Sequence, residues 1–176
     1  MRLSGARVLV WGLGRHGGGL AAARLCRADG ATVSILDARP AAECGDDGRA
    51  ALAEGFACHV GDAGHPAFAG ADLIVPSPAI PPRAWPAVHP PVLSPEALAL
   101  RRHRGRRVGV TGTKGKSTTA MLCGSLLGWR VAGNSWRPLC EAVLADPAAD
   151  LVCELSSFQL WYLRDERPRF DAAILT

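Results

Sequence analysis

The chain has 176 residues, of which 48% are hydrophobic and 20% charged, and its formal net charge is +4. This composition is typical of a folded globular protein and excludes a disordered or fibrous one. No run approaches the roughly 20 apolar residues of a membrane span and no signal peptide is apparent, so we expect a cytoplasmic protein without membrane contacts.

The first predicted elements form a β-α-β unit. Arg7 to Trp11 is an apolar run typical of a strand, and an alanine- and leucine-rich stretch up to Asp29 favours a helix. Gly30 suits the C-terminus of that helix. A second strand, Thr32 to Leu36, ends on Asp37, and a unit of this length implies parallel pairing of the two strands.

A glycine-rich turn, Gly12-Leu13-Gly14-Arg15-His16-Gly17, joins the first strand to the first helix. It fits G-x-G-x-x-G, and Asp37 supplies the acidic residue expected at the end of the next strand. Such glycines permit a tight turn, close approach to a diphosphate and close helix–strand packing. The motif predicts a phosphate site. A turn without a ligand and an NAD or FAD site stay open as alternatives.

Shorter strands are expected at Phe56 to Val60 and at Asp72 to Val75. Eight prolines between Pro76 and Pro95 then exclude a continuous helix or a central strand, which places a domain edge near their end. The basic run from Arg101 to Arg107 lacks interleaved aromatic residues and any recognised nucleic-acid module. We therefore predict a solvated connector there and no nucleic-acid partner.

A second α/β unit begins after the prolines. A short helix is predicted from Ser94 to Leu100, a strand from Arg107 to Thr111, and a helix from Ser117 to about Leu127. Leu151 to Cys153 and Ala172 to Leu175 are further predicted strands. The predicted fold class is α/β, with a Rossmann-like domain at residues 1–93 followed by an incomplete P-loop ATPase domain at residues 94–176.

A second glycine-rich turn, Thr111 to Thr118, carries the G-K-[ST] ending of a P-loop. In such loops backbone amides cradle phosphates, Lys116 reaches the β- and γ-phosphates, and the Ser117 hydroxyl binds Mg²⁺. Glu154 follows a predicted strand and stands where a second Mg²⁺ ligand is needed, so Lys116 and Glu154 are the candidate catalytic residues. The predicted ATP-binding residues are Gly112, Thr113, Lys114, Gly115, Lys116, Ser117 and Thr118.

Together these motifs resemble the ATP-dependent Mur ligases and the related folylpolyglutamate synthetases, which share the shortened P-loop form of Gly109 to Thr119. The run Glu154-Leu155-Ser156-Ser157-Phe158-Gln159-Leu160 resembles the signature of the members that add D-glutamate. Ser77-Pro78-Ala79-Ile80-Pro81 is similar to their S-P-G-I-P stretch, and Gly133-Asn134 to their G-G-N-I-G loop. The resemblance runs over the whole chain in the right order.

The resemblance implies a three-domain ligase of peptidoglycan precursor synthesis, which uses ATP and Mg²⁺ to join D-glutamate to UDP-N-acetylmuramoyl-L-alanine through an acyl phosphate. The sequence departs from the best-known members at Arg15-His16, Ala79, Lys114 and Ser135-Trp136, the last pair replacing isoleucine-glycine. L-glutamate or another acceptor therefore stays open. The residues that the resemblance assigns to the UDP-linked substrate are Gly14, Arg15, His16, Asp37, Ser77, Pro78 and Asn134.

The resemblance also implies parts that these 176 residues do not contain: a metal-site histidine, a carbamylated lysine and a C-terminal domain. We expect a fragment, a split gene or a truncated frame, with the missing part carried on a separate chain in the split case. We expect no amide-ligase activity from this chain alone, and poor folding of residues 94–176. The alternative is a non-catalytic nucleotide-binding or partner-binding module; an NAD-dependent dehydrogenase is disfavoured, because it has no use for a second phosphate loop.

Overall fold

The computed structural model describes residues 3–14, 17–87 and 89–176. The chain divides into two compact units, Met1–Pro95 and Glu96–Thr176. Each unit contains a four-stranded parallel sheet with helices packed on it, so the predicted α/β fold class is confirmed. In the described part of the chain, no helix has the length and apolar character that a membrane crossing requires.

The first unit contains the predicted β-α-β unit and both further strands, together with one helix that was not predicted. Its sheet has the order β3-β2-β1-β4, and short 3₁₀ turns lie at residues 41–43, 66–68 and 82–84. The helices and strands are β1 (Arg7–Trp11), α1 (Gly18–Ala28), β2 (Thr32–Asp37), α2 (Gly45–Ala53), β3 (Ala57–Val60) and β4 (Leu73–Pro76).

The core of the first unit is built on β1, which is flanked by two parallel strands. Such a strand is buried on both faces and therefore reads as a continuous apolar run, here Val8 to Val10. Trp11, at the end of the strand, packs edge-on against Phe68 with their ring centroids 4.9 Å apart. Because these strands are parallel, the carboxyl ends of β1, β2 and β4 lie at the same edge of the sheet.

The second unit has a different strand order, β6-β7-β5-β8. The strand that precedes the second glycine loop, β5, therefore lies between β7 and β8 and is paired on both sides. The elements are α3 (Pro95–Arg102), β5 (Arg107–Thr111), α4 (Lys116–Leu127), β6 (Arg130–Gly133), α5 (Leu139–Ala145), β7 (Leu151–Glu154), α6 (Ser157–Leu163) and β8 (Ala172–Leu175).

Arginine–aspartate pairs connect neighbouring strands at the amino edge of both sheets. In the first unit Arg7 binds Asp72 through its backbone and side chain, and this lowers the pKa of Asp72 to about 2. In the second unit Arg106 binds Asp150 in the same way and lowers the pKa of that carboxyl as well. The arginines of the basic run thus contribute to joining the strands of the second sheet.

Candidate functional site

The first glycine loop leaves the carboxyl end of β1 and closes against the segment that follows β4. Gly12 has φ 88° and Gly14 has φ 75°, a left-handed backbone that residues with a side chain rarely adopt. A Cβ atom on Gly12 would lie 3.1 Å from Cβ of Ser77 and 3.2 Å from Cδ1 of Ile80. The conformation therefore favours glycine at both positions, and at Gly12 a side chain would also need small shifts of Ser77 and Ile80.

Close packing between the loop and its helix lies at Gly19, which is outside the sequence motif. A Cβ atom there would lie 2.5 Å from the carbonyl oxygen of Gly12 and 2.6 Å from Cα of Leu13. Sequence reasoning missed this residue, although it lies in the run Gly17-Gly18-Gly19. Gly17, with φ 75°, precedes the first turn of α1, whose amides point towards the loop.

The Asp37 carboxylate holds the first loop in place. Its Oδ2 atom accepts a hydrogen bond from the Leu13 amide at 3.0 Å, and Oδ1 accepts one from the Arg39 amide at 3.1 Å. The side chain is only 13% exposed, and the Arg39 guanidinium lies 3.6 Å from Oδ1. Any ligand hydroxyl at this carboxylate would therefore meet an acceptor that is already oriented by the backbone.

Ser77 and Pro78 complete this edge of the sheet. The Ser77 amide donates to the Trp11 carbonyl at 2.7 Å, and its own carbonyl accepts from the Ile80 amide at 2.9 Å, which closes a turn containing Pro78. Gly14, Asp37, Ser77 and Pro78 thus lie together, at the carboxyl ends of β1, β2 and β4. The other two residues predicted for this site in the first unit, Arg15 and His16, lie outside the described residues.

The second glycine loop leaves the carboxyl end of β5 and opens α4. Gly112 has φ 144° and Gly115 has φ 78°, and Gly115 is the residue that caps the helix. The first amides of a helix have no partner inside it and carry a partial positive charge, which is the property that P-loops use to bind phosphate. The Lys116 ammonium donates to the carbonyls of Gly112 at 2.9 Å and Thr113 at 3.4 Å.

Thr176 packs directly against this loop, a contact that sequence reasoning did not find. Its carbonyl accepts from the Thr113 amide at 3.1 Å, and its hydroxyl donates to carbonyls of the loop, with the Thr111 oxygen at 3.3 Å. A Cβ atom on Gly112 would lie only 2.0 Å from the Thr176 carbonyl oxygen. Thr176, which follows β8, therefore contacts the loop through both its backbone and its side chain. Lys114 and Thr118 are exposed and Ser117 is half-buried.

Glu154 has surroundings that the sequence did not predict. The residue is fully buried, although it carries a carboxylate. Its Oε1 atom accepts hydrogen bonds from Asn134 Nδ2 at 3.0 Å and Ser135 Oγ at 3.1 Å, and Oε2 accepts one from Trp136 Nε1 at 2.7 Å. Buried polar groups are satisfied by hydrogen bonds, and here the donors all come from the turn after β6.

This arrangement does not fit a magnesium ligand as it stands. Mg²⁺ requires accessible oxygen atoms in near-octahedral geometry, whereas both Glu154 oxygens are buried and hydrogen-bonded. Within the described ranges, no group of three or more His, Cys, Asp or Glu side chains is placed to hold a metal ion. The metal roles of Ser117 and Glu154 stay predictions. For Glu154 to bind a metal ion, its carboxylate must give up hydrogen bonds to the turn after β6.

The residues after Glu154 connect β7 to α6 and α3. Ser156 caps α6 by accepting from the Gln159 amide, and the Gln159 side chain accepts from the Ser156 amide in return. The same side chain donates to Oε1 of the buried Glu96 at 2.8 Å. Ser156 and Gln159 of the signature run therefore fix local structure, and a capping box of this kind can be read from sequence.

Comparison with curated proteins finds close relatives over almost the whole chain. It is 44% identical to the UDP-N-acetylmuramoylalanine–D-glutamate ligase of Anaeromyxobacter dehalogenans over an alignment of 186 positions, covering 98% of this chain and 39% of that protein. It is 40% identical to the ligase of the same name from Myxococcus xanthus, covering 99% of this chain and 40% of that protein. The chain thus spans about two fifths of the length of the curated relatives it matches.

A solved structure resembles the fold. It is a murein peptide ligase from Psychrobacter arcticus, with a TM-score of 0.52 and 17% identity, covering 88% of this chain and 39% of that one. At this identity the likeness concerns the fold alone. The chain matches no family model.

Proposed function

Since the chain belongs to the Mur ligase family, we propose that it provides the nucleotide-binding part of an ATP-dependent ligase that joins D-glutamate to UDP-N-acetylmuramoyl-L-alanine. The observation that carries the proposal is a P-loop geometry at the end of β5, preceded in the chain by a separate glycine loop at the end of β1. Two phosphate loops suit an enzyme with two nucleotide-bearing substrates. The resemblance places the UDP-binding domain before the ATPase domain, so the order of the loops supports UDP binding in the first unit and ATP binding in the second.

In the first unit the diphosphate of the UDP compound binds at the loop of Gly12 to Gly17 and the N-terminus of α1. Asp37 and the Ser77-Pro78 turn flank that position, as their contacts with Leu13 and Trp11 indicate. Asp37 provides a hydrogen-bond acceptor, which suits a hydroxyl or an N–H group of the nucleoside. Asn134 belongs to the second unit, and its proposed contact with the muramoyl peptide rests on the resemblance alone.

In the second unit the phosphates of ATP replace protein carbonyls as partners of Lys116. The ammonium now donates to Gly112 and Thr113, which are weaker acceptors than phosphate oxygens. On nucleotide binding it exchanges them for the β- and γ-phosphates, while the first amides of α4 point at the same charge. Both groups stabilise the negative charge that grows as a peptide carboxylate attacks the γ-phosphate.

Mg²⁺ is proposed as the companion of ATP, and it supplies further charge neutralisation when bound. The Ser117 hydroxyl, on the first turn of α4, is half-buried and is the candidate ligand on the loop. The step forms the acyl phosphate of the peptide and breaks the bond between the β- and γ-phosphates, so that ADP leaves with its charge facing the same lysine and amides. The chemistry of the incoming amino group lies outside these residues.

Calorimetric titration of the whole chain tests the ATP site. We expect one ATP site, with affinity reduced about 10- to 150-fold in Lys116→Met, since hydrogen bonds to charged groups contribute about 1.5–3 kcal/mol. Arg164→Met is the matched control, because Arg164 lies over the Trp161 ring and pairs with exposed Asp165. Equal ATP affinity in Lys116→Met and in the unmodified chain would contradict the proposal.

The UDP site is tested by titrating the same protein with UDP-N-acetylmuramoyl-L-alanine and with NAD. We expect tighter binding of the UDP compound and no loss of it in Lys116→Met. Tighter binding of NAD would contradict the UDP site and favour an NAD-binding dehydrogenase domain instead.

A further inference from the structure

The turn after β6 is fixed to the end of β7 by its backbone. The Asn134 amide donates to the Glu154 carbonyl at 3.0 Å, and the Trp136 amide donates to the Gly133 carbonyl at 3.0 Å. Gly133 has φ 112°, and a Cβ atom there would lie 2.1 Å from the Glu154 carbonyl oxygen. The side chains of the turn are therefore held over the Glu154 carboxylate.

The three side-chain donors are not equivalent. A carboxylate has about four lone-pair positions, two on each oxygen. Asn134 and Ser135 occupy both positions on Oε1, whereas among the described residues Trp136 is the one donor to Oε2, at the shortest distance of the three, 2.7 Å. The availability of Oε2 to any other partner thus depends on the indole N–H.

Two of the three donors lie at positions where the sequence departs from the motif of the resemblance. Ser135 and Trp136 stand where the resemblance expects isoleucine and glycine, and neither of those side chains can donate a hydrogen bond. Asn134 is the remaining donor in common. With isoleucine in place of Ser135, Oε1 would lose one of its two donors, and with glycine in place of Trp136, Oε2 would lose its donor. The carboxylate could then turn towards a cation.

We propose that Trp136 is a positioning residue that holds the Glu154 carboxylate in the turn and thereby lowers the affinity of the second unit for a divalent cation. Binding of the cation by Glu154 requires the indole hydrogen bond to break. The cation role of Glu154 is the one predicted from the sequence, and through it the proposal rests on the proposed function. The hydrogen bond itself rests on geometry alone.

Nuclear magnetic resonance of the ¹⁵N-labelled chain tests the hydrogen bond without any ligand. The indole signal of Trp136, assigned by its loss in Trp136→Phe, should exchange with solvent at least tenfold more slowly than that of Trp161, which is 39% exposed. Exchange as fast as that of Trp161 would overturn the proposal.

Binding of Mn²⁺, followed by electron paramagnetic resonance without nucleotide, tests the effect on the cation. Trp136→Phe should bind Mn²⁺ about tenfold more tightly than the unmodified chain, as expected for removal of one hydrogen bond to a charged group. Ser135→Ala should show a smaller gain, since Asn134 still occupies Oε1. Trp161→Phe, whose ring contacts Tyr162 and Arg164, should show none.

The outcomes separate this inference from the proposed function. Unchanged or weaker Mn²⁺ binding in a Trp136→Phe protein with an unaltered circular dichroism spectrum would overturn the inference. If that variant unfolds, two other results test the inference. Ser135→Ala without any gain in Mn²⁺ affinity, or fast indole exchange of Trp136 in the unmodified chain, would overturn it. Absence of ATP binding in the unmodified chain contradicts the proposed function and leaves the Mn²⁺ comparison intact.

Discussion

The two units use the same plan, in which a central parallel strand ends in a glycine loop and a neighbouring strand ends in an acidic residue. In the first unit β2 lies beside β1, and Asp37 binds the amide of Leu13 in the loop itself. In the second unit β7 lies between β6 and β5, and Glu154 binds the turn after β6 instead. The order of the strands therefore offers each carboxylate a different set of donors.

The units also differ in how completely their apolar surfaces are covered. Among the described residues the large exposed apolar side chains of the first unit are Leu52 and Val60. The second unit exposes many more, which predicts a lower local stability and a tendency to associate. These residues are Met121, Leu122, Leu126, Leu127, Phe158, Trp161 and Leu175.

The largest expected effects come from glycines at close contacts, and each unit offers a matched pair. In the first unit Gly19→Ala should destabilise by about 3 kcal/mol or more, because its Cβ would meet backbone atoms of the loop at 2.5 Å. Gly18→Ala, with nothing within 4 Å, should stay within about 1 kcal/mol of the unmodified protein. Urea denaturation measures both.

In the second unit the corresponding pair is Gly133→Ala and Gly128→Ala. Both glycines have positive φ, but a Cβ on Gly133 would lie 2.1 Å from the Glu154 carbonyl oxygen, whereas Gly128 has open space. We expect Gly133→Ala to lower the free energy of unfolding by about 3 kcal/mol or more, and Gly128→Ala by about 1 kcal/mol. Equal costs within either pair would show that the loop and the turn do not have the described geometry.

Replacement of the Glu154 carboxylate by an amide should have the next largest effect. Gln at this position presents an N–H group to a donor from the turn, so we expect Glu154→Gln to destabilise the second unit by about 2–3 kcal/mol. Glu141→Gln is the control, since Glu141 forms an exposed pair with Arg137 and should change stability by less than about 0.5 kcal/mol. A neutral Glu154→Gln would contradict the hydrogen bonds to Asn134 and Trp136.

Hydrogen exchange of a demonstrated monomer compares the units directly. We expect amides at Val108 to Val110 and at Leu151 to Cys153 to exchange at least about tenfold faster than those at Val8 to Val10, equivalent to a difference of about 1.4 kcal/mol in opening free energy. Equally slow exchange in both sheets would show that the exposed apolar surface of the second unit does not limit its stability.

The smallest effect concerns the amino edge of the first sheet. The pKa of Asp72, lowered to about 2 by Arg7, means that the pair stabilises the fold above the usual carboxyl range and that this contribution is lost as pH falls towards 2. Titration followed by nuclear magnetic resonance should place Asp72 near pH 2. In Arg7→Met its midpoint should rise but stay below the usual carboxyl value of about 3.9, because the backbone amide of residue 7 still donates to Asp72. A midpoint of about 3.9 in the unmodified protein would refute the pairing in solution.

Much of the sheet architecture could be predicted from sequence. The spans of β1, β5 and β8 were predicted to the residue, because each is a short run rich in apolar residues and bounded by turn formers or charges. The helices α2, α5 and α6 and the strand β6 were not predicted. Each is short. The capping box of α6 is a local signal that the prediction overlooked, whereas its Gln159–Glu96 hydrogen bond is a tertiary contact that no local pattern shows.

The candidate site was predictable only in part, for a related reason. Glycine loops are local motifs, so Gly14 and the residues of the second loop could be named from spacing alone. The partners of Glu154 depend on β6 lying beside β7, and the contact of Thr176 with Gly112 depends on β8 lying beside β5. Neither adjacency is encoded in a local pattern.

The proposed function requires one chain to bind two different nucleotides at two separate loops. The most direct measurement is calorimetric titration of ATP into the chain already saturated with UDP-N-acetylmuramoyl-L-alanine, followed by the reverse order. We expect one site for each ligand. The UDP compound should not abolish ATP binding, and Lys116→Met should reduce the ATP affinity. Competition of ATP and the UDP compound for a single site would contradict it.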